Sequence, residues 1–495
     1  MNQLRSGYLP IVRSYWLDTS TGEPYPPLAG TAKADVAVIG GGVAGVCCAW
    51  ELSRAGRDVI LLEAGRLLSG VTGHTTAKLT AQHTLLYHRL SRETARLYAQ
   101  AQTDAIEHVA AQKIECDLEF LPAYAYSSDV DEIRKEAEAE EAAGLAASFV
   151  TEVPLPGASG RAAVKVEGQA QFHPLRYLRA LAADVPRIHE NSRVVDIDGG
   201  TVKTDGGATV NADVVVVATH FPILDKVALV PRLSVRRDPV IAAPIPSSLD
   251  PQGMFITREE GLRSVRTAPF ESGRLLIVTG ETYAPGEPGV RQRITTLASW
   301  ASERFGVTEF PYVWSAHDFN TADGVPFIGH FPGFGDNVFV ATGFGGWGMT
   351  NGVAAGRLIA SLVDGEPLPW AKIFDPKRLN LKESITGVMR NAANAVGHLL
   401  GDRTQTPRLQ LLEEDVPPGE GRVLMVDERR IAIYHDPRGG FRAVSATCTH
   451  LGCVVGFNDA EATWDCPCHG SRFALDGSII SGPALKPLAP EQLPE

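Results

Sequence analysis

The sequence predicts an α/β domain with a smaller α+β domain inserted into it, followed by a small domain of short strands. Within residues 34–63 an apolar strand runs into a glycine-rich turn, a helix and a second apolar strand, which together make one βαβ unit. Residues 222–312 contain short strand-like runs separated by Pro and Gly, and strand–helix alternation resumes after them. From about Pro407 the chain changes to short strands and turns. This order indicates three folded parts.

Several elements of the α/β part can be predicted individually. Residues 213–218 and 337–342 are nearly continuous apolar runs, which is typical of strands buried on both faces. Apolar residues recur at helical spacing over 83–113, which predicts one long helix. We also expect a helix capped by Ser128 and running to Glu141. Its many charged side chains favour a solvated face.

The composition excludes several classes of protein. The chain has 495 residues, a net charge of -12 and 44% hydrophobic residues, which is typical of a globular protein with a large core. An acidic balance argues against nucleic acid as a partner, because phosphate binding needs a concentrated basic surface. No run of 18 apolar residues is present, so no membrane span is expected. Residues 1–18 lack the pattern of a signal peptide, so we expect a cytoplasmic protein.

A glycine motif in the βαβ unit predicts a dinucleotide site. Gly40-x-Gly42-x-x-Gly45 lies between the strand and the helix, where glycines let the backbone approach a pyrophosphate at the helix N-terminus. Glu63 ends the second strand, where a carboxylate can accept hydrogen bonds from ribose hydroxyls. Strand, helix, strand and acid together make the motif far more specific than its glycines alone.

The chain resembles the FAD-dependent family that includes D-amino-acid oxidase, glycine oxidase and the sarcosine and dimethylglycine dehydrogenases. The segments that carry this resemblance are 38–45 (VIGGGVAG), 68–77 (LSGVTGHTTA), 172–174 (FHP), 321–329 (TADGVPFIG) and 340–350 (VATGFGGWGMT). It implies a Rossmann-like FAD-binding domain and a substrate domain inserted in two pieces. The residues that it assigns to FAD are Gly40, Gly42, Ala44, Gly45, Glu63, Thr72, His74, Thr75, Val194, Gly343, Gly346, Gly348, Met349 and Thr350.

Three points remain open within this resemblance. His74 occupies the loop in which some members bond a histidine covalently to the flavin, and the alternative is a histidine that only hydrogen-bonds near it. A second G-x-G-x-x-G begins at Gly343 and could hold NAD, but no second strand with a terminal acid follows it. Many relatives have Trp-x-x-x-Arg-Pro where this chain has Trp314 and Asp318, so the carboxylate-binding arginine is missing here. Arg263 and Arg266 are alternative anion partners, and the catalytic residues are unknown.

Four of the seven cysteines crowd into the C-terminal part of the chain. Cys448-x-His450 and Cys466-x-x-His469 supply two thiolates and two imidazoles. This donor set suits tetrahedral zinc, and it equally suits a Rieske [2Fe–2S] cluster, in which two cysteines bind one iron and two histidines the other. Spacing alone leaves both metals open.

The flanking residues of this cluster resemble the Rieske domains of respiratory and photosynthetic cytochrome complexes over about 421–488. The carriers are 448–453 (CTHLGC), 466–471 (CPCHGS) and 482–484 (GPA). The resemblance implies that Cys448, His450, Cys466 and His469 hold the cluster and that a disulfide joins Cys453 to Cys468. Ser471 would donate a hydrogen bond to the cluster. Phe473 replaces a tyrosine that is common in these relatives, so we expect a lower reduction potential here.

The predicted organisation has three named parts. Residues 1–370 form the FAD-dependent module, 371–404 a linker helix and 405–495 the Rieske domain. Within the module the FAD-binding parts are 34–82, 150–223 and 316–367, and the substrate-domain parts are 83–149 and 224–315.

The predicted function is that of a flavin/Rieske dehydrogenase. Its substrate would be a small amine or amino acid oxidised at the C–N bond, and electrons would leave singly to a ferredoxin or cytochrome. The alternatives are a 2-hydroxy-acid or polyol-phosphate dehydrogenase, an electron-transfer protein supplied by NAD(P)H or by a partner, and a flavin oxidase whose cluster is structural.

Overall fold

The computed structural model describes residues 13–223, 229–378 and 406–493. The chain folds into two compact units. Of the described residues, the first holds 13–222, 238–282 and 296–378, and the second holds 223, 229–237, 283–295 and 406–493. The second unit therefore combines the C-terminal domain with two short segments that are predicted above to belong to the substrate domain. The domain boundaries predicted above remain a prediction.

A mainly parallel sheet in the first unit contains the predicted βαβ unit. Its strands lie in the order β16-β17-β10-β1-β2-β7, with β8 and β9 attached to β10. The strands are β1 (Thr31–Ile39), β2 (Val59–Leu62), β7 (Arg187–His189), β8 (Val194–Asp198), β9 (Thr201–Thr204), β10 (Thr209–Val217), β16 (Phe327–His330) and β17 (Val338–Thr342). Central β1 pairs in parallel with both β2 and β10, which agrees with the predicted βαβ unit.

A second sheet carries the inserted part of this unit. Its strands lie in the order β15-β11-β14-β13-β12-β4-β6-β3, and β5 pairs with β6. They are β3 (Lys78–Leu79), β4 (Glu119–Ser127), β5 (Ala147–Val150), β6 (Ala162–Gln171), β11 (Leu233–Ile245), β12 (Met254–Thr257), β13 (Arg263–Phe270), β14 (Gly273–Gly280) and β15 (Tyr312–Thr321). Most of its pairings are antiparallel.

Helices cover these sheets. They are α1 (Tyr15–Thr19), α2 (Val43–Arg54), α3 (Arg92–Ala111), α4 (Val130–Ala142), α5 (Pro174–Ala183), α6 (Val290–Phe305), α7 (Gly348–Val363) and α8 (Ala371–Phe374). The predicted linker helix over 371–404 falls mostly on residues 379–405, which lie outside the described part. In the described residues no helix combines the length and the apolar character needed to cross a membrane.

The structure corrects the prediction of one long helix over 83–113. Helix α3 begins only at Arg92, because the Ser91 hydroxyl accepts a hydrogen bond from Thr94 N and caps it. Residues 83–91 form turns instead, including a short 3-10 helix at Tyr87–Arg89.

The predicted cap of α4 is corrected, and its predicted solvated face is present. Asp129, and not Ser128, caps α4, since its carboxylate accepts from Glu132 N at 3.0 Å. Charged side chains such as Arg134 and Glu138 are exposed as predicted, whereas the side chains of Glu136 and Glu140 are fully buried. Glu136 accepts from His88 N at 2.8 Å, and Glu140 accepts from Gln82 Nε2 at 3.3 Å. Burial, followed by the neighbouring Glu136, raises the pKa of Glu140 well above its ordinary value.

The C-terminal part of the second unit consists of small antiparallel sheets. One has the order β18-β19-β20 and the other β21-β22-β23-β24. The elements are α9 (Leu412–Asp415), β18 (Gly421–Val426), β19 (Arg429–His435), β20 (Phe441–Ser445), β21 (Gly456–Asn458), β22 (Thr463–Asp465), β23 (Arg472–Phe473) and β24 (Ile479–Ser481). The predicted all-β character of this domain is confirmed.

Candidate functional site

In the glycine turn after β1, the start of α2 packs directly against the backbone of the turn. Gly40 has a φ of +105°, a conformation that favours glycine. A Cβ on Gly45 would lie 1.8 Å from Gly40 O, so the helix can approach the turn only without a side chain there. The helix is also tied to the 68–77 loop, because Val43 N donates to Thr72 Oγ1 at 2.9 Å.

Glu63 lies beside this turn, at the end of β2. Its Oε2 accepts from Gly41 N at 2.7 Å and its Oε1 accepts from Gly65 N at 2.8 Å. Burial raises the pKa of Glu63, although both hydrogen bonds act in the opposite direction. The Glu63 carbonyl accepts from Ser192 N at 2.8 Å, which brings the start of β8, where buried Val194 lies, close to the end of β2.

Two buried tryptophans hold the 68–77 loop by its carbonyl groups. Trp314 Nε1 donates to His74 O at 2.9 Å, and Trp16 Nε1 donates to Thr75 O at 2.7 Å. The His74 ring itself donates from Nδ1 to Gly70 O at 2.8 Å. Sequence reasoning missed Trp16, since the N-terminal segment carries no motif. The two alternatives for His74, a covalent bond to the flavin or a hydrogen bond near it, stay predictions.

The second glycine turn joins β17 to α7. Gly343, Gly345 and Gly346 all have positive φ values, of 77°, 62° and 87°. Helix α7 begins at Gly348, which puts Met349 and Thr350 in its first turn. Thr350 Oγ1 donates to Thr80 O at 2.9 Å and accepts from Thr80 N at 3.1 Å.

No strand follows α7 before residue 378, where this stretch of described chain ends. The turn therefore lacks the second strand and acid of an NAD site.

A histidine that sequence reasoning missed supports this turn. The ring of His83 stacks on Trp347, with centroids 4.6 Å apart and planes 12° apart. His83 Nδ1 lies 2.6 Å from the hydroxyl of Tyr98. Burial lowers the pKa of His83 to about 3, so the ring is neutral at ordinary pH.

Two buried cations, Lys78 and Arg266, lie next to the end of the 68–77 loop. Lys78 Nζ donates to Phe255 O at 2.8 Å and to Ser264 Oγ at 2.5 Å. Arg266, which is 1% exposed, donates to Ala77 O at 2.5 Å. Burial lowers the pKa of Lys78 to about 7 and that of Arg266 to about 9. Within the described part of the chain, neither side chain has a carboxylate within ion-pair distance.

The other candidate anion partner is already engaged. Arg263 forms a buried ion pair with Glu281 at 2.5 Å, so of the two arginines only Arg266 suits a bound anion. Asp318, at the position of the expected arginine, is 5% exposed and follows buried His317. His317 contacts the His220 ring, and burial lowers the pKa of His220 to about 4.

These residues fit a dinucleotide. Both turns carry glycines where side chains would collide or strain the backbone, and the first helix starts directly at its turn. The carboxylate of Glu63 is held at the end of the next strand, as ribose recognition requires.

The cysteine and histidine pairs of the C-terminal domain lie on two loops that meet. The backbone of each loop is closed by its own hydrogen bonds, from Cys448 N to Cys453 O and from Cys466 N to Ser471 O, both at 2.8 Å. The His450 and His469 rings have centroids 5.0 Å apart. The thiol of Cys466 lowers the pKa of the Cys448 thiol to about 7.

A disulfide joins Cys453 to Cys468, whose Cα atoms are 6.4 Å apart. The sulfurs of Cys453, Cys466 and Cys468 all lie within 4.8 Å of one another. Only Cys466 of these three keeps a thiol, so they do not form a three-thiolate metal site. The disulfide links the two loops next to the four candidate ligands.

Ser471 is buried between these loops. Its hydroxyl accepts from Ala484 N at 3.0 Å, and its proximity helps to lower the pKa of the Cys448 thiol. Burial, followed by the charge of His450, lowers the pKa of His469 to about 4, so the imidazole is neutral, as a metal ligand must be. Two thiols and two imidazoles on facing loops fit a Rieske cluster.

Comparisons with known proteins identify a matching family for each of the two parts of the chain. Residues 35–362 match the FAD dependent oxidoreductase family and residues 409–492 match the Rieske [2Fe-2S] domain. A protein of Bacillus subtilis strain 168 named as a Rieske 2Fe-2S iron-sulfur protein, YhfW, is 36% identical over 96% of this chain and 96% of its own length. The cytochrome b6-f complex iron-sulfur subunit of Chlorobaculum tepidum is 47% identical over 15% of this chain and 40% of that subunit.

Solved structures share the fold of the first part. Glycine oxidase from Geobacillus kaustophilus has a TM-score of 0.57 at 22% identity, covering 70% of this chain and 99% of that chain. L-proline dehydrogenase from P. horikoshii has a TM-score of 0.58 at 20% identity, covering 70% of this chain and 98% of that chain.

Proposed function

Because the chain belongs to the FAD-dependent oxidoreductase family and ends in a Rieske [2Fe-2S] domain, we propose that it is a dehydrogenase of an amine or amino acid. The bond oxidised is C–N, and electrons pass singly to an external carrier such as a ferredoxin or cytochrome. When bound, FAD would accept a hydride from the substrate and the cluster would accept single electrons, so that one chain converts a two-electron donation into two one-electron steps.

The observation that carries the substrate assignment is the pair of buried cations Lys78 and Arg266. Burying a charge without a partner is costly, and neither cation has a carboxylate partner among the described residues. A substrate carboxylate would compensate both. The resemblance in fold to glycine oxidase and L-proline dehydrogenase is consistent with such a substrate.

The chain's own groups would chiefly orient the substrate. Thr72, Thr350 and the tryptophans Trp16 and Trp314 hold the turns and the loop on which the flavin would rest. A hydride transfer needs close approach and alignment more than a strong base. We therefore assign Lys78 and Arg266 to substrate orientation and not to proton removal.

An anaerobic screen tests this function. Amines, amino acids and hydroxy acids are mixed one by one with the holoenzyme, and flavin and cluster absorbance are followed together. We expect an amino acid or secondary amine to bleach the flavin first and the cluster second. Reduction by hydroxy acids only would overturn the C–N assignment, and reduction by NADH alone would favour the electron-transfer alternative.

A charge substitution tests the site. Lys78→Met should raise KM for a carboxylate-bearing substrate by about 10-fold or more, because one ionic hydrogen bond is lost, and should leave KM unchanged for an amine that lacks a carboxylate. Lys135→Met, on the exposed side of α4, is the control. Equal effects of Lys78→Met on both substrates would contradict the assignment.

A further inference from the structure

A buried network of four charges lies in the second unit. Arg237, which is 1% exposed, donates from NH2 to Glu461 Oε1 at 2.6 Å and from NH1 to Asp465 Oδ2 at 3.0 Å. Arg472 donates from Nε to Asp465 Oδ1 at 3.2 Å and also pairs with Glu461. Two cations and two carboxylates thus balance one another, while Arg237 comes from a distant segment of the chain.

Asp465 connects this network to the candidate cluster, because it directly precedes Cys466. Its fully buried carboxylate also accepts from Asn458 Nδ2 at 3.1 Å and from Thr463 Oγ1 at 2.8 Å. A buried carboxylate is tolerated only when it is paired and hydrogen-bonded. The position of the strand that leads into Cys466 therefore depends on Arg237 and Arg472.

The segment 283–293, a loop that continues into the first turn of α6, approaches the same strand through its backbone. A Cβ on Gly286 would lie 2.9 Å from Asp465 O and 3.3 Å from Pro467 Cδ. A Cβ on Gly456 would lie 2.2 Å from Gly286 O. These contacts leave no room for side chains, so the loop lies directly on the segment that carries Cys466.

Polar contacts fasten this loop at both ends. Tyr283 OH accepts from Asn458 Nδ2 at 3.3 Å, and Tyr283 O accepts from Arg237 N at 2.8 Å. At the other end Arg291 N donates to Asp459 Oδ1 at 3.0 Å, and Arg291 NH2 donates to Asp459 O at 2.7 Å. The loop and Arg237 thus belong to one contiguous contact surface.

We propose that Arg237 is a positioning residue for the Rieske centre, acting through Asp465, and that Arg237 and residues 283–293 form an intrachain docking site for the loop that carries Cys466. The docking site holds that loop in place and sets the charge next to a cluster ligand. This role is independent of the substrate, because it concerns only the Rieske domain and the two segments that pack on it.

Opposite charge changes test the electrostatic part. Arg237→Gln leaves excess negative charge beside Cys466 and should lower the midpoint potential of the cluster, because adding an electron becomes less favourable. Asp465→Asn leaves excess positive charge and should raise it. Arg422→Gln, which removes the same charge from an exposed position on β18, should leave it unchanged. Chemical titration followed by electron paramagnetic resonance reads the potential without any substrate.

Potential shifts of the same sign in both variants, or no shift in either, would overturn the proposal. A general loosening of the structure around the cluster would change the midpoint potential of both variants in the same direction. Arg237→Lys keeps the charge and should restore a potential near that of the parent protein. These titrations do not depend on amine oxidation, so failure of the proposed substrate would leave them readable.

A steric variant tests the proposed docking site. Its result can be read even if the charge variants lose the cluster. Gly456→Ala inserts a methyl group against Gly286 O and should speed amide hydrogen exchange at both 283–293 and 463–468. Gly206→Ala, with its nearest neighbour 3.9 Å away, should change neither segment. Unaltered exchange at 283–293 in Gly456→Ala would overturn the docking site.

Discussion

The two candidate cofactor sites are built in opposite ways. The flavin site is assembled from glycine turns and short hydrogen bonds contributed by segments as distant as 40–45 and 343–350. The four candidate ligands of the Rieske site all lie between Cys448 and His469, and they are side chains. A site made by the fold should lose affinity gradually when one support is changed. A site made by ligand side chains should lose its cofactor completely when any one of these ligands is replaced.

The loss of a ligand should have the largest effect. Cys466→Ser removes one thiolate from an iron, so we expect no cluster absorbance or paramagnetic signal and a fall of more than about 100-fold in carrier reduction. FAD content and anaerobic flavin reduction by substrate should persist. Cys116→Ser replaces a buried thiol of the first unit and serves as the control. Full turnover by Cys466→Ser would instead favour an oxidase with a structural cluster.

The change of one glycine should have an intermediate effect on the flavin site. Gly45→Ala places a methyl group against Gly40 O, and overpacking of this kind costs about 1–3 kcal/mol. This corresponds to FAD binding weakened by about 5- to 150-fold, measured by fluorescence titration of the apoprotein. Gly206→Ala is the control. Complete loss of binding, as for a missing ligand, would break the distinction between the two sites.

Substitution of Glu140, a buried residue that supports the flavin site, should have a smaller effect, and this effect on the unfolding free energy should depend on pH. Glu140 bonds to Gln82, whose backbone N donates to Thr80 Oγ1, and Thr80 in turn holds Thr350. Since burial raises the pKa of Glu140, the stability that it contributes is full below its unfolded pKa and is lost as the pH rises through the folded pKa. Glu140→Gln does not ionise, so its unfolding free energy should exceed that of the parent increasingly as the pH rises above the unfolded pKa of a glutamate, about 4.3, and until it reaches the folded pKa of Glu140.

Thermal unfolding at several pH values measures this difference. Glu138→Gln, at an exposed position of the same helix, should show no such trend. A Glu140→Gln protein less stable than the parent at pH 8 would show that the charge is needed there.

The sequence revealed those parts of each site that are local. The βαβ unit could be predicted because its glycines, helix and acid are contiguous, and the Rieske motif because its ligands have a fixed spacing. The burial of Glu140 could not, since Gln82 lies on a turn that sequence periodicity assigned to a helix. The roles of Lys78 and Arg237 were also hidden. Each depends on partners brought near by tertiary pairing, and neither belongs to a recognisable motif.

The smallest effect is expected at Phe473, which is fully buried on β23 and pairs with Trp464 on β22. Phe473→Tyr adds one hydroxyl in the domain where the buried Ser471 hydroxyl already lowers the pKa of the candidate ligand Cys448. If the new donor reaches a cluster sulfur, it stabilises the reduced, more negative state and raises the midpoint potential slightly. Phe441→Tyr, on the partly exposed strand β20, supplies the same hydroxyl away from the ligands. The hydroxyl does not act on the cluster if the midpoint potential fails to rise in Phe473→Tyr, or if it rises equally in Phe441→Tyr. In that case the potential is set by Ser471 and by the charges around Cys466.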